Sequence, residues 1–353
     1  MTDRSRDIAA IISEAAARRQ PLYINGGGSK RRLLGRDCEA QALEISGHTG
    51  ITDYQPSELV LTARAGTPLA EIVAALGQEG QVLPFEPPLF DNRATLGGTV
   101  ACNMSGPARP WAGSARDMVL GVQLVDGRGQ LLNFGGQVMK NVAGYDVSRL
   151  QAGALGTLGV LSEVSLKVLP GPEHSATLVY EMDAAAAIDT MNRRAGQPSP
   201  LSGACWLDGR LYLRLSGAAT AVAHTAASWG GEPLAAGSDF WRDLREMALP
   251  FFSGEEALWR LSVKSSAAPF AVAGPTLVDW GGAQRWLRGP LDPVELQRSA
   301  VQAGGNATLF RGGNRGAEVR PAPDAVTRRL HDRLKQAFDP QHILNPGRLY
   351  GGL

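Results

Sequence analysis

Apolar residues recur along this chain with two different periods. Near the N-terminus they follow helical spacing and predict an amphipathic helix that Pro21 ends, with apolar positions at Ile8, Ile11, Ile12, Ala15 and Ala16. Short apolar runs bounded by turn residues predict strands at 22–24, 59–65, 118–125 and 130–134. Thr67 and Pro68 predict the start of a helix over 67–77, with Thr67 as its N-cap.

The order of predicted strands and helices changes after Pro170-Gly171-Pro172, where we expect a domain boundary. Beyond it, a strand-helix-strand-strand-helix order occurs twice, over 176–229 and over 258–303, and a strand at 308–311 follows. The second unit includes a short helix at 267–273. Two such units predict one mostly antiparallel sheet covered by helices, and so an α+β protein. A last helix is predicted over 325–338.

Composition and charge then exclude several classes of protein. The chain has 353 residues, and at ~100–200 residues per domain two domains are expected. Its net charge of +1 argues against a nucleic-acid-binding surface. Three cysteines without a CxxC pair argue against zinc-ribbon and iron–sulfur sites and suit a reducing cytoplasm. The N-terminus shows no apolar signal segment, so we expect a cytoplasmic protein.

Common phosphate, hydrolase and metal motifs do not occur. Residues 26–30 read Gly-Gly-Gly-Ser-Lys, whereas a Walker loop needs Gly-Lys followed by Ser or Thr. No GxGxxG opens a helix in a βαβ unit, and neither GxSxG nor HExxH is present. The five histidines form no ligand-spaced cluster, so we expect no metal site.

Four glycine-centred segments remain, at 26–29, 94–106, 111–117 and 153–160. Consecutive glycines expose backbone N–H groups that can hold phosphate oxygens, and Ser29 adds a hydroxyl. Each segment alone has an ordinary alternative: a plain loop, a surface ion pair between Arg116 and Asp117, or tight strand packing. Four such segments within 135 residues favour a large nucleotide cofactor.

The order of these segments, with Lys-Asn-Val-Ala-Gly-Tyr-Asp at 140–146, resembles the FAD-binding domain of the vanillyl-alcohol oxidase / p-cresol methylhydroxylase (PCMH) superfamily. It is similar in particular to the FAD-linked 2-hydroxy-acid oxidoreductases. Further motifs resemble the FAD-binding subunits of bacterial glycolate oxidase, at 83–88, 106–113, 278–282 and 338–348. The resemblance implies a PCMH-type FAD-binding domain at 1–172, an antiparallel-sheet cap domain at 173–320, and a C-terminal helix and tail at 321–353 that return to the FAD domain.

The resemblance also implies a set of FAD-binding positions. Gly26, Gly27, Gly28 and Ser29 would hold the pyrophosphate. The flavin and ribityl chain would meet Thr95, Leu96, Gly97, Gly98, Asn103, Ser105, Gly106, Gly113, Ser114, Arg116 and Asp117. The adenine end would meet Gly156, Thr157, Gly159 and Val160, while Asn345 would bring the tail back onto the FAD domain. Tyr145 and Asp146 would lie near the domain interface.

Two departures from the family pattern change the expected chemistry. Relatives with covalent flavin carry histidine where Ser29 stands, so we expect non-covalent FAD. Catalytic relatives carry a histidine-rich segment in the second domain, and the corresponding region here, 304–311, has none. A 2-hydroxy acid still needs cations for its carboxylate. Arg260, Lys264 and Arg311 are candidates, with solvated surface positions as the alternative for each.

The resemblance implies a subunit that helps convert glycolate to glyoxylate. Its expected partners are a homologous flavin subunit and an iron–sulfur subunit that takes the electrons. Membrane contact would come only through these partners, at the inner face of the cell membrane. Two alternatives stay open: a self-sufficient FAD-linked oxidoreductase of another 2-hydroxy acid, and a non-catalytic assembly subunit that holds flavin as a structural element.

Overall fold

A computed structural model describes residues 2–136 and 146–353. Tyr145 and most of the 140–146 motif lie outside the described residues. The helices are α1 (Ser5–Arg18), α2 (Leu69–Gln78), α3 (Leu96–Cys102), α4 (Arg109–Ala112), α5 (Ala115–Met118), α6 (Val147–Leu150), α7 (Ala184–Ala195), α8 (Ala219–Trp229), α9 (Gly237–Glu246), α10 (Pro293–Gln302) and α11 (Ala325–Phe338).

The strands of the first part of the chain are β1 (Leu22–Asn25), β2 (Gln41–Glu44), β3 (Ile51–Gln55), β4 (Val60–Arg64), β5 (Gln81–Val82), β6 (Val119–Val125), β7 (Leu131–Gly135), β8 (Val160–Lys167) and β9 (Leu169–Pro170). Those of the second part are β10 (His174–Glu181), β11 (Leu201–Leu207), β12 (Arg210–Gly217), β13 (Glu232–Pro233), β14 (Leu258–Ser262), β15 (Thr276–Asp279), β16 (Gln284–Arg288) and β17 (Asn306–Arg311).

The first part contains three sheets, the smallest of which is the antiparallel pair β5-β9. Strands β1 and β2 are parallel, and an antiparallel sheet has the order β3-β4-β8-β6-β7. Helices α1, α2 and α3 bury their apolar faces against this sheet through residues such as Ile12, Ile72 and Val100. The predicted strands at 118–125 and 130–134 form a hairpin, with β6 paired to β7 across the Asp126-Gly127 turn.

The second part is one antiparallel sheet with the order β13-β10-β12-β11-β15-β16-β14-β17. Helices α7 and α8 cover the β10–β12 half through Ile188 and Val222. Helix α10 covers the β14–β17 half through Leu296 and Ala300. The tandem repeat in the sequence therefore becomes one continuous sheet, as predicted. Its other face meets the first part of the chain.

Three local predictions were wrong. Helix α2 begins at Leu69 with Pro68 as N-cap, because the Thr67 hydroxyl is hydrogen bonded to the backbone of Gly50 instead. Residues 267–273 form no helix, since Pro269 interrupts the segment. Helix α9 was not predicted at all: its charged, Gly-initiated sequence is held by tertiary burial of Trp241 and Leu244.

The C-terminal tail returns to the first part of the chain. Leu344 forms a parallel bridge with Leu22 at the end of β1. Helix α11 leads into it, and within that helix Lys335 is buried beside Asp339. The tail thus lies beside the strand that runs into the first glycine segment.

Candidate functional site

The first glycine segment forms a turn of unpaired backbone donors after β1. Among the described residues, no backbone N–H of residues 26–30 donates a hydrogen bond. Gly28 has φ of +69°, a conformation that glycine adopts without strain. The carbonyl of Arg93 lies 1.6 Å from where a Cβ of Gly27 would stand, so no other residue fits there. Such a run of free donors is a nest for an anion.

This turn opens onto a cleft between the β1–β2 sheet and the five-stranded sheet of the first part. We call it the glycine cleft. Its lining includes ten of the predicted cofactor positions, namely Gly26, Gly27, Gly28, Ser29, Thr95, Gly97, Gly98, Gly156, Gly159 and Asn345. The cleft therefore brings together residues separated by more than 300 positions in sequence.

Lys30 and Gln151 place polar side chains in the lining of the glycine cleft. The Lys30 ammonium donates to the neighbouring Ser29 hydroxyl at 3.2 Å. Lys30 is buried, and no carboxylate of the described residues lies within ion-pair distance of its ammonium. Burial lowers the pKa of Lys30 to about 8, while Cys102 and Glu246 oppose this shift. The amide nitrogen of Gln151 is buried without a hydrogen-bond partner among the described residues. Together with the free donors of the turn, this cation fits a ligand that carries phosphate charge.

The two adjacent glycines of the second glycine segment have different surroundings. Gly97 and Gly98 lie in α3, whose first amides are already bonded to Thr67, Ala65 and the Thr95 hydroxyl. A Cβ on Gly97 would stand 2.6 Å from the Cβ of Ala65, so the space there is filled by protein. A Cβ on Gly98 would meet only the Thr95 hydroxyl, at 3.1 Å. Both glycines line the glycine cleft, but only at Gly98 would an added Cβ find space.

Several predicted cofactor positions use their polar atoms within the protein. Asp117 accepts hydrogen bonds from the backbone and hydroxyl of Ser114, at 2.8 Å each. The Ser105 hydroxyl accepts from the amide of Ala115, and the side chain of Asn103 accepts from the amide of Arg116. These bonds fix the 103–106 loop against the 113–117 turn. Gly113 supplies the positive φ that the turn needs, +93°.

The remaining predicted positions are structural neighbours of the cleft. The side chains of Leu96 and Val160 are buried in the apolar core. Thr157 is buried, with its hydroxyl donating to the carbonyl of Ala154, and it lines a separate surface cleft with Arg116. Gly159 packs against Leu124, whose side chain occupies the space of a Cβ. Gly106 is pressed against the carbonyl of Glu86 and lies in the cleft described next.

The C-terminal tail joins the two walls of the glycine cleft through hydrogen bonds. Asn345 accepts a hydrogen bond from the amide of Ile24 at 2.7 Å and donates to the carbonyl of Leu155 at 2.6 Å. Arg348 donates to the carbonyls of Arg31, Leu33 and Arg36. The Asn-Pro-Gly-Arg motif therefore ties strand β1, the 155–156 loop and the loop after the glycine turn together.

A second, smaller cleft lies between the two parts of the molecule. We call it the interface cleft. The first part contributes Met104, Ser105, Gly106 and Pro107, and the sheet of the second part contributes Arg260, Asp279, Gln284, Trp286 and Phe310. Trp280 closes one side by donating from its indole to the carbonyl of Gly106 at 3.0 Å. Arg109 stacks on that indole with its guanidinium 4.4 Å from the ring centre.

Arg260 faces this cleft from strand β14. Trp259 and Leu261 point to the opposite face and pack beneath α10, so the side chains of this strand alternate between its two faces. No carboxylate of the described residues pairs with Arg260, and its guanidinium lies 5.5 Å from the Phe310 ring centre. Burial, and next the positive charges of Arg320 and Arg109, lower the pKa of Arg260 to about 10. An unpaired cation in such a cleft suits an anionic ligand.

The other two predicted cations lie elsewhere. Lys264 is exposed, with its aliphatic stem against Gly304, and it lines neither cleft. Arg311 donates to the backbone carbonyl of Phe252 and also lies outside both clefts. Of the three candidates, only Arg260 is therefore placed to meet a ligand.

Sequence reasoning missed Lys30 and Asp279. Lys30 follows the glycine run after Ser29, and its closeness to the glycines in sequence is a usable signal. Asp279 belongs to the Val-Asp-Trp-Gly-Gly motif at 278–282, and its carboxyl is buried in the interface cleft. Nothing in the local pattern distinguishes this aspartate from an ordinary turn residue. The burial of the Asp279 carboxyl arises only when β15 and β16 pair in the folded sheet.

Comparisons with known proteins agree with this architecture. A family model described as "FAD binding domain" matches residues 3–135. The chain is 46% identical over 351 residues to glycolate oxidase subunit GlcE of Escherichia coli (strain K12), covering 99% of both chains. It is 31% identical over 186 residues to glycolate oxidase subunit GlcD of Bacillus subtilis (strain 168), covering 51% of this chain and 39% of the relative.

Among solved structures, alkyldihydroxyacetonephosphate synthase superimposes with a TM-score of 0.66 at 15% identity. The match covers 96% of this chain and 75% of that one, and it shows the fold alone. Fold and relatives define an FAD-dependent oxidoreductase with a PCMH-type FAD-binding fold. The chain belongs to the GlcE family of glycolate oxidase subunits. None of the helices within 2–136 and 146–353 has the length and apolarity needed to cross a bilayer.

Proposed function

We propose that this chain is the FAD-binding subunit of a complex that oxidises glycolate to glyoxylate. The observation that carries the proposal is the unpaired Arg260 in a cleft directly beside the wall of the FAD site. The near full-length match to a glycolate oxidase subunit supports the choice of substrate. Glycolate has one carboxylate and almost no apolar surface, so its binding depends on charge-assisted hydrogen bonds.

In this proposal, residues 1–172 and the tail at 321–353 hold FAD, and residues 173–320 cap it. The backbone donors of Gly26–Ser29 bind the pyrophosphate, with Lys30 adding a positive charge beside them. Ser105 and Gly106 lie where the glycine-rich wall meets the interface cleft, so the redox-active ring would lie against them. FAD, when bound, supplies the capacity to accept two electrons from the substrate.

The cap supplies the substrate contacts. Arg260 binds the carboxylate through its two-pronged guanidinium. Trp286 and Phe310 form apolar walls that exclude water from the interface cleft. Ser29 stands where covalent relatives have histidine, and we propose that the cofactor is bound without a covalent link.

The electrons leave to an iron–sulfur subunit, and a homologous flavin subunit completes the complex. Support comes from the relatives, which are themselves subunits of glycolate oxidase, and from the three scattered cysteines of this chain. We further propose that the complex works in the cytoplasm and reaches the inner face of the cell membrane only through its partners.

The test is reconstitution. The isolated chain should reduce an artificial dye with glycolate poorly or not at all, while co-expression with the flavin and iron–sulfur subunits should restore the activity. Tagged chain purified from its native host should bring these two subunits with it. Rapid bleaching of the flavin by glycolate in the pure isolated chain would contradict the dependence on partners and favour a self-sufficient oxidase.

A further inference from the structure

Asp279 occupies an unusual position in the interface cleft. It is the last residue of β15, it pairs with Gln284 of β16, and its relative exposure is only 3%. One carboxylate oxygen accepts from the amide of Trp280 at 2.7 Å, and the other accepts from the Gln284 side chain at 3.2 Å. Each oxygen therefore keeps a free lone pair.

The register of the sheet places this carboxyl on the same face as Arg260. Asp279 is opposite Gln284 on β16, and Trp286, two residues further along, is opposite Arg260 on β14. Residues two apart on a strand point to one face. Two strand spacings and a two-residue offset put the Cα atoms of Asp279 and Arg260 roughly 12 Å apart. A small acid held by the guanidinium would then extend toward the carboxyl.

We propose that Asp279 is the catalytic residue that accepts the hydroxyl proton of the 2-hydroxy acid. The inference rests on the proposed function and supplies the base that the missing histidine-rich segment leaves open. The O–H bond of the substrate breaks, and its proton goes to the Asp279 carboxylate. The hydrogen on C2 leaves with its electron pair to the oxidant, FAD, so that a C=O bond forms and the substrate loses two electrons and two hydrogens.

The electrostatic surroundings suit this role. Burial raises the pKa of Asp279 to about 7, and the hydrogen bonds from Trp280 and Gln284 limit the rise. Among the charged groups packed around it, Arg214 lowers this pKa and Glu86 raises it, while Glu86 and Arg214 also pair with each other at 2.9 Å. Arg245 and Arg260 line the same cleft, and the carboxyl of Asp279 is close enough to raise the pKa of the buried Cys205 thiol on the neighbouring strand β11. A base works best when its pKa is near the working pH.

The experiment uses the reconstituted complex with Asp279→Asn in this chain. Asparagine can still accept from the Trp280 amide, so the turn is preserved while the proton acceptor is lost. We expect FAD content to stay constant and kcat to fall by about 10²- to 10⁴-fold. Asp183→Asn is the matched control, because Asp183 caps α7 through the amide of Ala186 far from either cleft. Its kcat should match that of the wild type.

If Asp279→Asn folds poorly, a second variant and a second measurement still test the proposal. Gln284→Leu removes a hydrogen bond that favours the carboxylate, so the acidic limb of the kcat/KM profile should move to higher pH. Infrared difference spectra of the chain without FAD should show a carboxylic-acid band that disappears near pH 7 and is missing in Asp279→Asn.

The outcomes separate the two proposals. If the wild-type complex does not oxidise glycolate, the proposed function fails. The assignment of Asp279 then fails as well, because it depends on that function. If the wild type is active but Asp279→Asn keeps its kcat and Gln284→Leu keeps its pH profile, only the Asp279 assignment is overturned. A carboxylic-acid band that does not titrate near pH 7 would also overturn the assignment. Asp279 would then only hold the turn, by accepting the hydrogen bond from the Trp280 amide.

Discussion

Arg260 is the residue on which substrate binding depends in our proposal. Arg260→Lys keeps the charge but loses the two-pronged contact with a carboxylate. The loss of a charged hydrogen bond costs about 1.5–3 kcal/mol, so KM for glycolate in the complex should rise about 10- to 100-fold. FAD content should not change. Arg298→Lys, on the exposed face of α10, is the control and should leave KM unaltered.

Gly97 and Gly98 are adjacent, but a larger side chain should have a different effect at each position. Gly98→Val places its methyl groups in the glycine cleft and should abolish FAD retention while the apoprotein keeps its melting temperature. Gly97→Val forces the new side chain against Ala65, and such overpacking costs about 1–3 kcal/mol of the free energy of unfolding. Thermal unfolding of both apoproteins and flavin absorbance after gel filtration distinguish them. Equal destabilisation of the two apoproteins would contradict the distinction.

At the scale of elements, helix α11 is fastened by a buried ion pair. The Lys335 ammonium donates to Asp339 at 2.7 Å and to the carbonyls of Thr157 and Leu344. Asp339 in turn accepts from the amide of Leu344. This network joins the helix, the tail and the 157 loop, so it supports the wall that Asn345 completes.

Asp339→Asn should therefore be strongly destabilising. It leaves the Lys335 charge buried without a counter-charge, which costs about 3–5 kcal/mol. The same helix offers a control with the same spacing, the exposed pair Arg328–Asp332, where Asp332→Asn should cost only about 0.3–0.5 kcal/mol. Urea denaturation of each variant measures the difference. Similar midpoints for the two variants would show that the buried pair contributes no more than the exposed one.

At the scale of the whole molecule, the cofactor should be dissociable. Ser29 lines the glycine cleft at the position where covalent relatives carry histidine. Acid precipitation of the purified chain should leave all yellow colour in the supernatant, and chromatography should identify the released compound as FAD rather than FMN. Flavin that stays with the precipitate would contradict non-covalent binding.

The sequence by itself determined the features that depend on neighbouring residues. Spacing alone predicted α11. Glycine content predicted the turn at 26–29, because a nest of backbone donors needs residues without a Cβ. The order of the glycine segments also pointed to FAD before any coordinates were considered.

Only the tertiary structure decided which charged groups lie in the interface cleft and could contact a ligand. Lys264 and Arg311 looked equivalent to Arg260 in sequence, yet only Arg260 lies in the interface cleft. Asp279 acquires its raised pKa from burial between strands and from Glu86, which lies far away along the chain. Helix α9 forms because Trp241 and Leu244 are buried, although its own sequence favours a helix weakly. Burial and long-range pairing set the free energy of a charge or a helix, and neither is visible in a local pattern of residues.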